Sequence, residues 1–211
     1  MIDDRARSFS RKMINFIDES SSTYHVVKNC SDILDQNGFE RLNLKDEWEI
    51  KRTGKYYIER ANSTIVAFTI GNNFNNVEGE KIGFRIFGAH TDSPGFRVKH
   101  NPEMITENLL KINTEVYGSP ILNTWFDRPL SIAGRLIVKS DKIFSPKTIN
   151  IKIDEPILTI PNLAIHQNKD INRGIELDKQ NDTLPINKTV DSLIERENYL
   201  LKILTNKTRV N

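Results

Sequence analysis

The chain has 211 residues, 37% of them apolar, with 30 Lys plus Arg against 28 Asp plus Glu, a formal charge of +2 and a single cysteine. That length builds one domain or two small ones around a real core. The near balance of charge excludes both a disordered tail and a protein that coats nucleic acid, and no apolar run reaches the roughly 18 to 20 residues that a membrane span needs.

In chain order, Met1-Ile2-Asp3-Asp4-Arg5 carries charges where a secretion signal would be apolar, which leads us to expect a soluble, cytoplasmic protein. Phe9, Met13, Phe16 and Ile17 then fall at helical spacing and predict a first amphipathic helix. A second follows the capping candidates Ser21-Ser22-Thr23, carries Val26, Cys30, Ile33 and Leu34 on one stripe, and stops at Gly38. Both stripes read as core, and Cys30, which has no disulfide partner, reads as a small apolar residue on its helix. His25 on this helix reads as surface.

Tyr56-Tyr57-Ile58, Thr64 to Ile70 and Ile82 to Ala89 are predicted strands of a meander, with the polar loop Gly71 to Asn76 between the last two. Past about residue 105 the texture changes to short strand-like pieces punctuated by Pro and Gly: Val116-Tyr117, Ser131 to Val138, Thr148 to Ile153 and Ile157 to Ile160. A last helix is predicted from about Asp191 to Leu204. Helices layered on a sheet, followed by a mostly β unit, give an α/β fold.

Chemistry has three candidate seats. An apolar strand running into Gly88-Ala89-His90-Thr91-Asp92-Ser93-Pro94 would place polar side chains at a carboxyl strand end, where α/β folds hold ligands. There His90 could bind a metal with Asp92 fixing its ring; the competing reading is a surface turn capped by Asp92 and stopped by Pro94. Trp125-Phe126-Asp127-Arg128 combines an apolar anchor with a potential ion pair, as interface hot spots do, or else forms a buried aromatic corner with one satisfied salt bridge. His166, behind Ile160-Pro161-Asn162-Leu163-Ala164-Ile165, is by itself more often structural, and His100 reads as surface in a polar turn.

Together and in this order, these segments resemble the aspartyl aminopeptidase family of dinuclear zinc exopeptidases. Gly88 to Pro94 with Arg97-Val98-Lys99 is similar to the family's first metal motif. Tyr117-Gly118 through Thr124 to Arg128, then Leu130 to Arg135, resembles the motif that opens its inserted dimerisation domain, and Pro161 to His166 a third block. The small residues after Tyr117, and Pro129 where the family often has an acid, depart from the pattern.

The resemblance implies part of a zinc-exopeptidase α/β domain, helices against a mixed sheet, in residues 1–105, and a mostly β inserted dimerisation domain with a C-terminal helix in residues 106–211. It implies His90 as a zinc ligand, Asp92 as the residue that orients it, and His166 as a group reaching a neighbouring subunit's site to hold substrate or a developing oxyanion. It also implies two zinc ions with a bridging carboxylate and a bound hydroxide, a glutamate base, release of N-terminal residues, acidic ones among them, from peptides, and dimers stacked into dodecamers.

The further ligands that such a site draws from beyond the inserted domain have no counterpart in the sequence. No Asp-x-Glu-Glu occurs: Asp154-Glu155 runs into Pro156, and Glu195-Arg196-Glu197 falls on the expected last helix. The resemblance therefore covers the first half of the family's usual chain. The expected function is that of a zinc aminopeptidase lacking most metal ligands, with little activity from this chain alone; the alternative is an inactive assembly module that pairs with full-length subunits.

Overall fold

The structure, a computed structural model, describes residues 3–72, 83–141, 144, 146–190 and 198–208. It divides into two compact units, Met1–Ser93 and Pro94–Asn211. Among the described residues no helix is long and apolar enough to cross a membrane.

The first unit opens with α1 (Asp4–Glu19) and α2 (Thr23–Gln36). Asp3 caps α1 by accepting a hydrogen bond from the Arg5 N–H. Gly38 ends α2 as expected: at φ +74 it lets the Phe39 N–H return to the Leu34 carbonyl at 3.0 Å, closing the last turn. The stripes behave differently from expectation. α1 has no buried residue, with Phe9 72% and Ile17 60% exposed, and the buried face of α2 is Val27 and Ser31, one position round from Val26 and Cys30. Cys30 is half-buried, and burial pushes its thiol up.

Three strands form the sheet of this unit: β1 (Glu40–Arg41), β2 (Lys55–Arg60) and β3 (Thr64–Thr69). β1 runs parallel to β2 and β2 antiparallel to β3, so the arrangement is not a simple meander. Ala61 and Asn62, both left-handed at φ 52 and 54, close the β2–β3 turn in the mirror-image geometry that suits twisted strands. Tyr56 and Tyr57 on β2 are each 2% exposed. Tyr57 donates to the Asp35 carboxylate at 2.8 Å, and burial, then that bond, pushes its phenol up to about 12. Buried Ser31 donates to Glu59, whose other carboxylate oxygen pairs with Arg41 at 2.7 Å, tying α2 to the sheet.

The third predicted strand, Ile82 to Ala89, is not formed. Residue 82 lies outside the described residues, as do residues 73–76 of the predicted loop, but residues 83–89 are described and join no sheet. Phe84, Ile86 and Phe87 are 80%, 87% and 95% exposed. A run apolar on both faces needs sheet neighbours and a cover on each side, and nothing described in this unit supplies them.

The second unit is mostly β. β4 (Gly95–Thr106) and β5 (Leu109–Tyr117) form a long hairpin joined by left-handed Glu107 and Asn108, and β8 (Ile186–Thr189) adds to the far side of β5. Only the Val116-Tyr117 end of this hairpin was expected. Asn101-Pro102 falls within the strand where the register shifts between Val98 and Glu103, which absorbs the proline. His100 thus lies on β4 and is exposed, rather than in a turn.

On β5, Leu110, Ile112 and Thr114 alternate inward at 0%, 1% and 3% exposure, as a half-buried strand requires. β6 (Ala133–Val138) and β7 (Lys147–Lys152) pair antiparallel, close to the predicted pieces. The predicted strand at residues 157–160 makes only bridges, Leu130 with Leu158 and Thr159 with Ile186, which stitch the two sheets together. α3 (Tyr199–Thr208) packs Leu200 and Leu204 on Ile151 and Ile153, and its first turn is capped by Glu103, which accepts from the Leu200 N–H at 3.0 Å. The rest of the predicted last helix, residues 191–197 with Glu195 to Glu197, lies outside the described residues.

Candidate functional site

His90 and Asp92 meet as their spacing suggests, although the strand expected before them is absent. Asp92 Oδ1 lies 2.9 Å from His90 Nδ1, and the His90 side chain is 89% exposed. A carboxylate at Nδ1 accepts a proton held there, which leaves Nε2 as the nitrogen that offers a lone pair outward.

What holds this segment is a small hydroxyl network that sequence reading missed. The Thr91 hydroxyl donates to the Ser63 carbonyl at 2.8 Å, in the β2–β3 turn, and the Thr23 hydroxyl, at the start of α2, donates to Thr91 Oγ1 at 3.1 Å. Ser63 follows the left-handed pair Ala61-Asn62, and Ala-Asn carries little turn signal in a sequence.

As a zinc donor set, His90 fits one position, with an outward imidazole nitrogen and a carboxylate behind it. Zinc takes about four donors. Among the described residues no group of three or more His, Cys, Asp or Glu side chains could hold a metal ion. His25 is on α2 with its Nδ1 2.8 Å from Ser22 Oγ, and His100 is on β4.

The other two candidate segments both lie in the second unit. Trp125 closes a 3-10 turn, Leu122–Trp125, and stands edge-on to Phe96 with ring centroids 5.0 Å apart. It is half-buried, between the two readings made of it. The expected ion pair is not formed among the described residues: Arg128 Nε donates to the Thr124 carbonyl at 2.6 Å, and the Asp127 carboxylate accepts from the Asn162 N–H at 2.9 Å. His166 is exposed, in a turn where the Gln167 and Asn168 N–H groups both reach the Ala164 carbonyl. Gly118, at φ +72, passes so close to Pro94 that a Cβ there would stand 3.3 Å from the Pro94 Cα. Arg97 stacks over the Tyr117 ring at 3.6 Å.

A mixed α/β chain of small sheets and helices with this order of segments has clear relatives. Residues 16–209 match the family described as aminopeptidase I zinc metalloprotease (M18). The chain belongs to that family. It is 49% identical over 200 residues to a probable M18 family aminopeptidase 2 of Clostridium acetobutylicum, covering 94% of this chain and 45% of that protein. Among solved structures it resembles a chain of the Ape4 and Nbr1 complex, with TM-score 0.87, 31% identity, and coverage of 96% of this chain and 40% of that one. It also resembles the S. cerevisiae mApe1 dodecamer, with TM-score 0.71, 25% identity, and coverage of 96% and 45%. The chain thus spans less than half the length of the relatives it matches.

Proposed function

We propose that this chain supplies one zinc ligand and the subunit-pairing part of an M18 aminopeptidase that removes N-terminal residues, acidic ones among them, from peptides. The observation that carries this reading is the Asp92 carboxylate at His90 Nδ1, which supports His90 as a ligand through Nε2 and Asp92 as the residue that orients it. Bound zinc, two ions by the family pattern, would supply Lewis acidity and a water of lowered pKa. In this reading the remaining donors and the base come from the part of the relatives' length that this chain does not cover.

In this reading residues 1–105 are catalytic-domain sequence and residues 106–211 an inserted pairing domain, placing His166 at a neighbouring subunit's site as a group that holds the substrate. The peptide is the substrate, a homo-oligomer of the dodecameric kind is the assembly, and the cytoplasm is the compartment. The similarity to the mApe1 dodecamer supports the assembly, and the motif resemblance supports the preference for acidic residues.

The test is a chimera that joins residues 1–211 to the unmatched remainder of the C. acetobutylicum relative, assayed for release of aspartate from a chromogenic amide. Zinc-dependent release that disappears in His90→Ala is expected. A folded, zinc-loaded chimera with no release, or with release indifferent to His90, would sink the reading.

A further inference from the structure

Within the second unit, the contacts of the Trp125 to Asp127 turn run in two directions. On one side the indole of Trp125 lies against the start of β4: it meets Phe96 edge-on at 5.0 Å, and a Cβ on Gly95 would come within 3.5 Å of it. On the other side Asp127 holds the backbone that leads to His166. Its N–H donates to the Ile160 carbonyl at 2.9 Å and its carboxylate accepts from the Asn162 N–H at 2.9 Å. Ile160 is 1% exposed and so is a fixed anchor, whereas Asn162 to Gln167 is surface chain.

Both bonds depend on an unusual backbone. Asp127 sits in the left-handed region at φ 58, which presents its N–H and its carboxylate to the same neighbouring strand of chain. Asp and Asn enter that region more readily than other residues with a Cβ, because the short polar side chain bonds locally. The turn is locked from behind by Thr124, whose hydroxyl donates to the Ile121 carbonyl at 2.7 Å and whose own carbonyl accepts from Arg128. Each charge of the Asp127-Arg128 pair is therefore engaged on backbone, and the pair serves geometry.

We propose that Asp127 is a positioning residue for His166: it fixes the Asn162 to Gln167 loop to the Trp125 turn, and through Trp125 to the start of β4. The functional meaning of that placement rests on the substrate-holding role proposed for His166.

The test uses the 211-residue chain itself, with amide hydrogen exchange across residues 158–168 and the His166 Cε1–H resonance as readouts. In Asp127→Ala the Asn162 amide should exchange about tenfold faster and the His166 resonance should move, with β7 unaffected, since the variant loses a charge-assisted acceptor and strains the turn. Asp127→Asn keeps an acceptor oxygen and tolerates the backbone, so it should behave as the parent. Asp127→Gly keeps the backbone but not the acceptor, so Asn162 should stay unprotected.

Equal protection in the Asn and Gly variants, or faster exchange spread evenly over the second unit, overturns the proposal, and this comparison stands even if the Ala variant does not fold. Neither readout involves zinc or peptide cleavage. Failure here therefore shows in the loop, and failure of the substrate-holding role shows only in the chimera, as turnover indifferent to His166.

Discussion

The Asp92 carboxylate stands 2.9 Å from Nδ1 of His90, on a side chain otherwise almost wholly in solvent. An exposed imidazole left to itself prefers its proton on Nε2, and a carboxylate at Nδ1 reverses that preference. Long-range 1H–15N spectra of the 211-residue chain should show neutral His90 protonated at Nδ1, and Asp92→Ala should return it to the Nε2 form. A parent ring already in the Nε2 form would contradict the pairing.

Thr91 should matter to the same ring without touching it. Thr91→Val removes the hydroxyl that donates to Ser63 and accepts from Thr23 while keeping the side chain's volume. A loss of about 1 kcal/mol in the stability of the first unit is expected, with broadening of the His90 signals as the segment loosens. Unchanged His90 line widths would show that the hydroxyl network does not hold the segment.

Gly118 and Gly134 make a controlled pair. Ala at 118 meets both a left-handed backbone and the Pro94 Cα, and should cost about 1–3 kcal/mol. Ala at 134, on β6, has open space around it and an ordinary backbone, so denaturant midpoints should barely move. Similar midpoints for the two variants would refute the close approach to Pro94.

Tyr57 gives the first unit an alkaline limit. Its folded-state value is raised from 10.0 to about 12, first by burial and then by the Asp35 bond, so its stabilisation is complete below pH 10 and drains away as pH climbs towards 12. The amount at stake is about 2–3 kcal/mol. Melting temperatures from pH 8 to 12 should fall steeply above pH 10 in the parent and less so in Tyr57→Phe, which has no phenol to ionise.

The helices and four of the eight described strands were legible in the sequence because period and punctuation agree there: α2 ends at Gly38, and β2, β3, β6 and β7 fall close to where aromatic and β-branched runs place them. The β4 strand was hidden by Asn101-Pro102, which a bulge absorbs, and a two-residue β1 has no period to detect. The α1 stripe shows the opposite failure, since a helical period reports an apolar face and not what covers it.

At the site, His90 and Asp92 were legible because two residues of spacing suffice for the contact. Thr23, Ser63 and Thr91 were not, being 40 and 28 residues apart and joined only by tertiary structure. Asp127 was misread for a related reason: adjacent opposite charges suggest each other, while the left-handed backbone that sends Asp127 to Asn162 leaves no mark in the sequence.

The exposed Phe84, Ile86 and Phe87 are expected to govern how this chain behaves at the bench. Three large apolar side chains on a segment that joins no described sheet are what chaperones grip and what seeds precipitates. Yield, dye binding and filter retention should therefore track these three residues more closely than they track the +2 charge of the whole chain. Replacing Phe84 and Phe87 with Ser is accordingly the first step towards a soluble preparation.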